Sequence, residues 1–268
     1  MKEVVLVKKP NFNYKEYVKR SALATDFAQL YKESVILVED DKPKIVYLEL
    51  DFDCSDLVEE LKKIGYNTSK RSNGLISTSK IFGYQPKVPF RRDFCTIAAL
   101  AGENPKAHAL ILDYAKKIAA LYEKHAPEKY QEHFKMTKEK ILQDYQIESS
   151  PFTSGIVNKN NPLKYHFDAG NFKNVYSAMI AFKKHIGGGY LALPEYDIGL
   201  EIADNSLLLF DGQQILHGVT PIQKLSSQAY RYSIVFYSLQ QMWKCETIDK
   251  EIARIRNVKM EREAKGLK

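Results

Sequence analysis

SAMIAFKKHIGGGYLALPEYDIGLEIADNSLLLF, residues 177–210, holds four short apolar segments separated by turns. They are Ser177–Phe182, Gly189–Leu193, Leu200–Ala203 and Ser206–Phe210. All are shorter than the roughly ten residues at which a buried helix becomes the better reading of an apolar run. Gly187-Gly188-Gly189 and Asp204-Asn205 supply the backbone freedom for sharp reversals. No helix pattern follows the glycine triplet, so it reads as a turn and not as a phosphate cradle.

The same texture begins after Pro151 and runs to Tyr230–Leu239, with Asp211-Gly212 as a further turn. Closely spaced short strands predict an antiparallel sandwich or barrel for the C-terminal half. The N-terminal half is mixed, which makes the chain α+β. Tyr14–Tyr31 reads as a helix, Ile45–Leu50 as a strand, and Asp56–Ile64 as a short helix. Asn67–Pro89 is rich in Ser, Gly, Pro and Lys and reads as a long loop. In Ala107–His125, Ile111, Leu112, Ala115, Ile118, Ala119 and Tyr122 recur at helical spacing, and Asn104-Pro105 marks the start. Thr247–Lys268 reads as a basic amphipathic helix with Ile248, Ile252 and Ile255 on one face.

At 268 residues, 44% hydrophobic and 27% charged, the chain can bury a substantial core without staples. No apolar run approaches the roughly 20 residues of a membrane span. Met1–Phe12 carries no leader pattern. Cys54, Cys95 and Cys245 are odd in number and lack C-x-x-C spacing, which argues against a disulfide framework and for a reduced, cytoplasmic or otherwise intracellular setting. The formal charge of +7 is concentrated. Lys62–Arg92 holds eight basic residues and no acidic one, and an anionic partner is the expectation.

His166-Phe167-Asp168 is an H-x-D triplet. On a strand, residues i and i+2 point the same way, so both side chains can reach one ion. His217 lies downstream in the β-rich half. Two imidazoles and a carboxylate form the facial triad of non-haem iron, which leaves positions for a bidentate 2-oxo acid and for dioxygen. The triplet alone is more often the mark of a hydrogen-bonded core histidine beside a turn-forming aspartate. Tyr230-Arg231-Tyr232-Ser233 tips the balance. Arg231 and Ser233 alternate onto one face of a strand that continues Ile234-Val235-Phe236, and a guanidinium beside a hydroxyl is a seat for a carboxylate. His108 and His125, in or at the end of a helix, read as structural.

These residues, in this order, resemble the 2-oxoglutarate/Fe(II) dioxygenases. The longer text resembles their TET/JBP branch, which oxidises the methyl of 5-methylcytosine or thymine in nucleic acid. It comprises Ser154-Gly155-Ile156-Val157-Asn158, Tyr165–Asn171, Leu208-Leu209-Phe210-Asp211-Gly212 and His217-Gly218-Val219-Thr220-Pro221. The resemblance implies a double-stranded β-helix (jelly roll) over 90–245, flanked by an N-terminal α/β extension over 1–89 and a C-terminal helix over 246–268, as one catalytic unit. It implies His166, Asp168 and His217 as Fe(II) ligands, Arg231 and Ser233 on 2-oxoglutarate, and Asn158 or Asn171 at the pocket. O2 is the co-substrate. Three scattered cysteines cannot build the zinc module of the animal enzymes.

The implied substrate is DNA, with its target base flipped out or single-stranded. Lys70, Arg71, Lys80, Tyr84, Arg91 and Arg92 are the expected contacts, cations for phosphates and aromatics for bases. A monomer that does not enter a membrane is expected. Two alternatives stay open: an oxygenase acting on a protein side chain or small metabolite, and a non-catalytic β-barrel that binds a partner.

Overall fold

Leu207, Leu208, Leu209 and Phe210 form a continuous apolar run because their strand is buried on both faces. In the computed structural model, which describes residues 1–70, 76–88 and 92–266, this strand lies inside a ten-stranded sheet. The order across that sheet is Lys2–Val5, Val35–Glu39, Lys42–Glu49, Ser206–Phe210, Ser177–Lys184, Tyr230–Tyr237, Ser154–Lys159, Ile76–Gln85 and Asn67–Lys70. Thr96–Ile97 pairs separately with Ile76–Gln85. All pairings are antiparallel except Lys2–Val5 with Val35–Glu39.

Strand alternation sends Leu207 and Leu209 one way and Leu208 and Phe210 the other. The first face packs on helices Ser55–Lys63 and Pro105–His125 through Leu57, Leu61, Ile111, Ala115, Ile118 and Tyr122. Phe82 and Phe236 join this layer. Gly155, between them in register, is required because a Cβ there would enter the Phe82 ring. The second face packs on a five-stranded sheet ordered Gln29–Tyr31, Ile198–Leu200, Leu191–Leu193, His217–Val219 and Leu163–His166. The molecule is therefore layered as helices, large sheet and small sheet, and each fully buried Leu or Phe contributes about 1.5–3 kcal/mol.

The long helix starts where the sequence placed it. Asn104 Oδ1 accepts from Ala107 N at 3.1 Å, and Pro105 occupies the first turn. A second helix, Pro127–Lys140, follows after a single residue. The C-terminal helix spans Ile248–Ala264, but Ile248 and Ile252 are exposed and the residue it buries is Glu251. No described helix is long and apolar enough to cross a membrane.

Three expectations are corrected. Tyr14–Tyr31 is not one helix: only Tyr14–Tyr17 is α-helical, Lys19 has φ +69°, and Gln29–Tyr31 is a strand of the small sheet. Ser21 instead bridges to Lys164, so tertiary pairing overrides local propensity. Asn67–Pro89 is not a loop: Asn67–Lys70 and Ile76–Gln85 form a hairpin at the sheet edge. Its outward residues face water, so the apolar alternation that signals a strand is missing. The cysteines are not all free. Cys95 and Cys245 are disulfide-bonded across a sequence separation of 150, while Cys54 is a buried thiol. Linear spacing carries no information about such a pair.

Candidate metal centre and co-substrate pocket

His166 ends one strand of the small sheet, and His217 begins its neighbour in direct register. Asp168 lies two residues past the strand end, where its N–H donates to Gly212 O at 2.8 Å and keeps its side chain on the His166 side. One ligand atom from each of the three lies within 4.8 Å of the others. His166 Nε2 and His217 Nε2 are 3.5 and 3.9 Å from Asp168 Oδ1.

Each imidazole is oriented from behind. His166 Nδ1 is 2.8 Å from Lys164 O, and His217 Nδ1 is 2.9 Å from Ile215 O. A carbonyl only accepts, so Nδ1 carries the proton and Nε2 presents its lone pair to an ion. Burial pushes His217 down to about 4, against the pull of Asp168. It is neutral at pH 7, as a metal ligand must be. Gly212 is obligatory here: a Cβ would collide with Asp168 Oδ2 and lie 3.2 Å from His217 Cε1.

A cavity of about 260 Å³ opens from the triad between the two sheets, lined by Asn158, Ser177, Met179, Phe210 and Tyr237 among others. Asn158 is buried at its inner end, with Nδ2 3.5 Å from Ser233 Oγ. Arg231 shares the face of Ser233 and is 3% exposed. Among the described residues no carboxylate pairs with it, and its buried Nη2 lacks a hydrogen-bond partner. Burial alone pulls its guanidinium down to about 10. A buried, unmatched cation is costly unless an anion is supplied. The donor set thus suits a ferrous ion at one end and a carboxylate at the other.

Asn171 lies on the rim, where its Nδ2 donates to Ser177 Oγ at 3.1 Å. A second opening beyond Asp168 is lined by Gln213, Gln214, Gln240, Lys173 and Asp211. Asp211 is buried with Oδ2 unpartnered, and burial raises its carboxyl. Neither Tyr237 nor Asp211 was singled out in the sequence. Tyr237 follows from alternation, six residues after Arg231. Asp211 hides in what reads as turn chemistry.

The basic stretch is placed differently from the site. Lys80 is buried, paired with Glu103, and faces the helix layer with its register partner Val157. Tyr84 packs edge-on against Tyr145 at 5.6 Å. Arg92 donates to Gln85 Oε1 at 2.6 Å and to Pro86 O at 2.7 Å, within its own segment. Lys62, Lys63 and Lys87 pair with Glu59, Glu60 and Glu246. Arg71, Arg91 and the side chain of Lys70 lie outside the described residues.

Facing sheets with two histidines and an aspartate converging at one end of the gap define a jelly-roll protein of the non-haem metal type. The chain belongs to the Tet_JBP family, the oxygenase domain of the 2OGFeDO superfamily, whose model matches residues 89–240. It is 24% identical over 170 residues to thymine dioxygenase JBP1 of Trypanosoma brucei brucei, covering 63% of this chain and 20% of that one. It is 28% identical over 117 residues to the bifunctional helicase and thymine dioxygenase JBP2 of Trypanosoma brucei brucei (strain 927/4 GUTat10.1), covering 44% and 10%. The chain thus spans a fifth or less of the length of these relatives. Its fold is that of NgTET1, solved in complex with 5mC DNA, with TM-score 0.63, 13% identity, and 86% and 87% of the two chains covered.

Proposed function

We propose that the protein is an Fe(II)- and 2-oxoglutarate-dependent dioxygenase that hydroxylates the 5-methyl group of a pyrimidine, 5-methylcytosine or thymine, in DNA. The observation that carries this reading is the converged triad together with the unmatched guanidinium of Arg231, on the strand whose Val235 and Tyr237 line the same cavity. His166, Asp168 and His217 would hold the iron. Arg231 and Ser233 would take the distal carboxylate of 2-oxoglutarate, and Asn158 would line its path. Iron so held, with 2-oxoglutarate as electron donor, supplies the oxidising power that places one oxygen atom of O2 into a C–H bond.

The chain's own residues do the rest. The Nδ1–H bonds fix both imidazoles. Apolar walls at Met179 and Phe210 exclude water from the reacting end. The opening beyond Asp168 admits the target from outside past Gln213 and Gln240, Asn171 lines the cavity it leads to, and a base inside a duplex reaches it only when flipped. The assignment of Lys70, Arg71 and Arg91 to phosphate contact belongs to this proposal. Lys62 adds to it, because an exposed ion pair like its own with Glu59 is worth at most about 1 kcal/mol and exchanges readily. We place the enzyme inside the cell, as a monomer whose three segments act as one catalytic unit.

The test is mass spectrometry of digested DNA after incubation with iron, 2-oxoglutarate and ascorbate, on 5-methylcytosine-containing and unmodified substrates. 5-Hydroxymethylcytosine or 5-hydroxymethyluracil is expected. Succinate formation without any oxidised base would redirect the substrate to a protein side chain or small metabolite. Arg71→Ala and Arg91→Ala should each lower the salt dependence of DNA binding by about one ion.

A further inference from the structure

His217 is oriented by one peptide group, and that group is gripped from its other side. His217 Nδ1 donates to Ile215 O at 2.9 Å. The N–H of the same peptide plane, Leu216 N, donates to Glu195 Oε1 at 3.1 Å. Glu195 is fully buried. Its other oxygen, Oε2, accepts from Tyr14 Oη at 2.6 Å and lies 3.7 Å from Lys8 Nζ. The backbone adds a third tie, Lys9 N to Glu195 O at 2.8 Å. Tyr14 also packs on Phe167, the residue between ligands His166 and Asp168, at 5.8 Å between ring centroids.

Hydrogen bonds in series polarise one another. A carboxylate on the amide N–H makes the carbonyl at the other end of that peptide a stronger acceptor. A stronger acceptor on Nδ1–H makes Nε2 a better donor to a metal and holds the ring in one orientation. For His166 the corresponding peptide N–H, Tyr165 N, donates to Arg20 O at 2.9 Å, a neutral carbonyl where His217 has a carboxylate. The two histidines are thus supported differently.

We infer that Glu195 is a positioning residue for the iron site, acting on His217 through the Ile215–Leu216 peptide, with Tyr14 as the group that holds its carboxylate in place. This rests on the iron reading proposed above. It brings the segment before residue 89, which the family match does not include, into the metal centre. The N-terminal stretch is then part of the machinery that sets metal affinity.

The experiment is a Co(II) titration of the full chain, without DNA, for wild type, Glu195→Gln and Tyr14→Phe. Glu195→Gln keeps an acceptor for Leu216 N and removes the charge. It should weaken Co(II) binding by about tenfold, the low end of the range for partners of ligating histidines. Tyr14→Phe should weaken it less and in the same direction. The proton spectrum of the Co(II) protein is the second readout. Of the two hyperfine-shifted imidazole N–H signals, one should move in Glu195→Gln and the other stay. Variants that bind Co(II) as wild type does, with both signals unmoved, overturn the relay and leave the iron reading intact, even if their melting temperatures fall. A wild type that holds no Co(II) overturns both. If Glu195→Gln does not fold, Tyr14→Phe decides by the same two readouts.

Discussion

Replacing Arg231 with Met should move two measured quantities in opposite directions. Burial brings the guanidinium down from its ordinary range to about 10. At about 1.4 kcal/mol per tenfold change in proton affinity, that is roughly 3 kcal/mol held against the charged form. Nothing among the described residues offsets it, since no carboxylate pairs with Arg231 and Nη2 is unbonded. Met has a similar length, no charge and no polar atom to satisfy. Without ligand, Arg231→Met should therefore be as stable as the wild type or more so, by up to about 3 kcal/mol, and melt at or above its temperature. On the proposed reading the same change removes the charged partner of the distal carboxylate of 2-oxoglutarate and leaves only the Ser233 hydroxyl. Losing one side of a buried charge pair costs about 3–5 kcal/mol, or roughly two to three and a half orders of magnitude in Kd. Anaerobic calorimetry with Mn(II) and 2-oxoglutarate measures the second quantity, and scanning fluorimetry without either measures the first. A variant that melts well below wild type yet binds 2-oxoglutarate normally would show that Arg231 is a packing residue, and the reasoning would fail.

Gly212→Ala should leave circular dichroism unchanged and cut Co(II) affinity at least about tenfold, because the new methyl displaces Asp168 from the position facing both histidines. His133 is buried, its Nε2 bonded to Ser238 Oγ, and burial holds it down to about 3. Below the ordinary histidine range near 6.5 the unfolded chain takes up a proton that the folded one refuses. Its contribution is thus fully present above pH 6.5 and is lost as pH falls toward 3, about 2 kcal/mol by pH 5. Urea midpoints measured from pH 7.5 to 4 should fall, and His133→Gln should flatten the slope; an unchanged slope refutes this. Denaturing alkylation without reductant, followed by intact mass measurement, should label Cys54 alone, and three labels would refute the Cys95–Cys245 bond.

What the linear text determined is what depends on short-range periodicity. The shared face of Arg231 and Ser233 follows from strand alternation, which holds wherever a strand forms, whereas Asp168 stands past its strand's end and keeps the His166 side through its bond to Gly212. The apolar period of Ala107–His125 and the clustered turns after Pro151 carried the layered α+β architecture for the same reason. Tertiary structure alone decided the rest, because those features depend on neighbours distant in sequence. Strand register brought His217 opposite His166. Pairing at Ser21 and the small sheet broke a stretch that reads as helix. A polar edge hairpin formed where composition reads as loop, since its strands needed partners more than an apolar face. Lys80 turned away from the gap to Glu103, because a side chain's face is set by register and not by the company it keeps in the text. Glu195 met the peptide before His217 and Cys95 met Cys245 only once the chain had closed, and no spacing rule can express contacts made by closure.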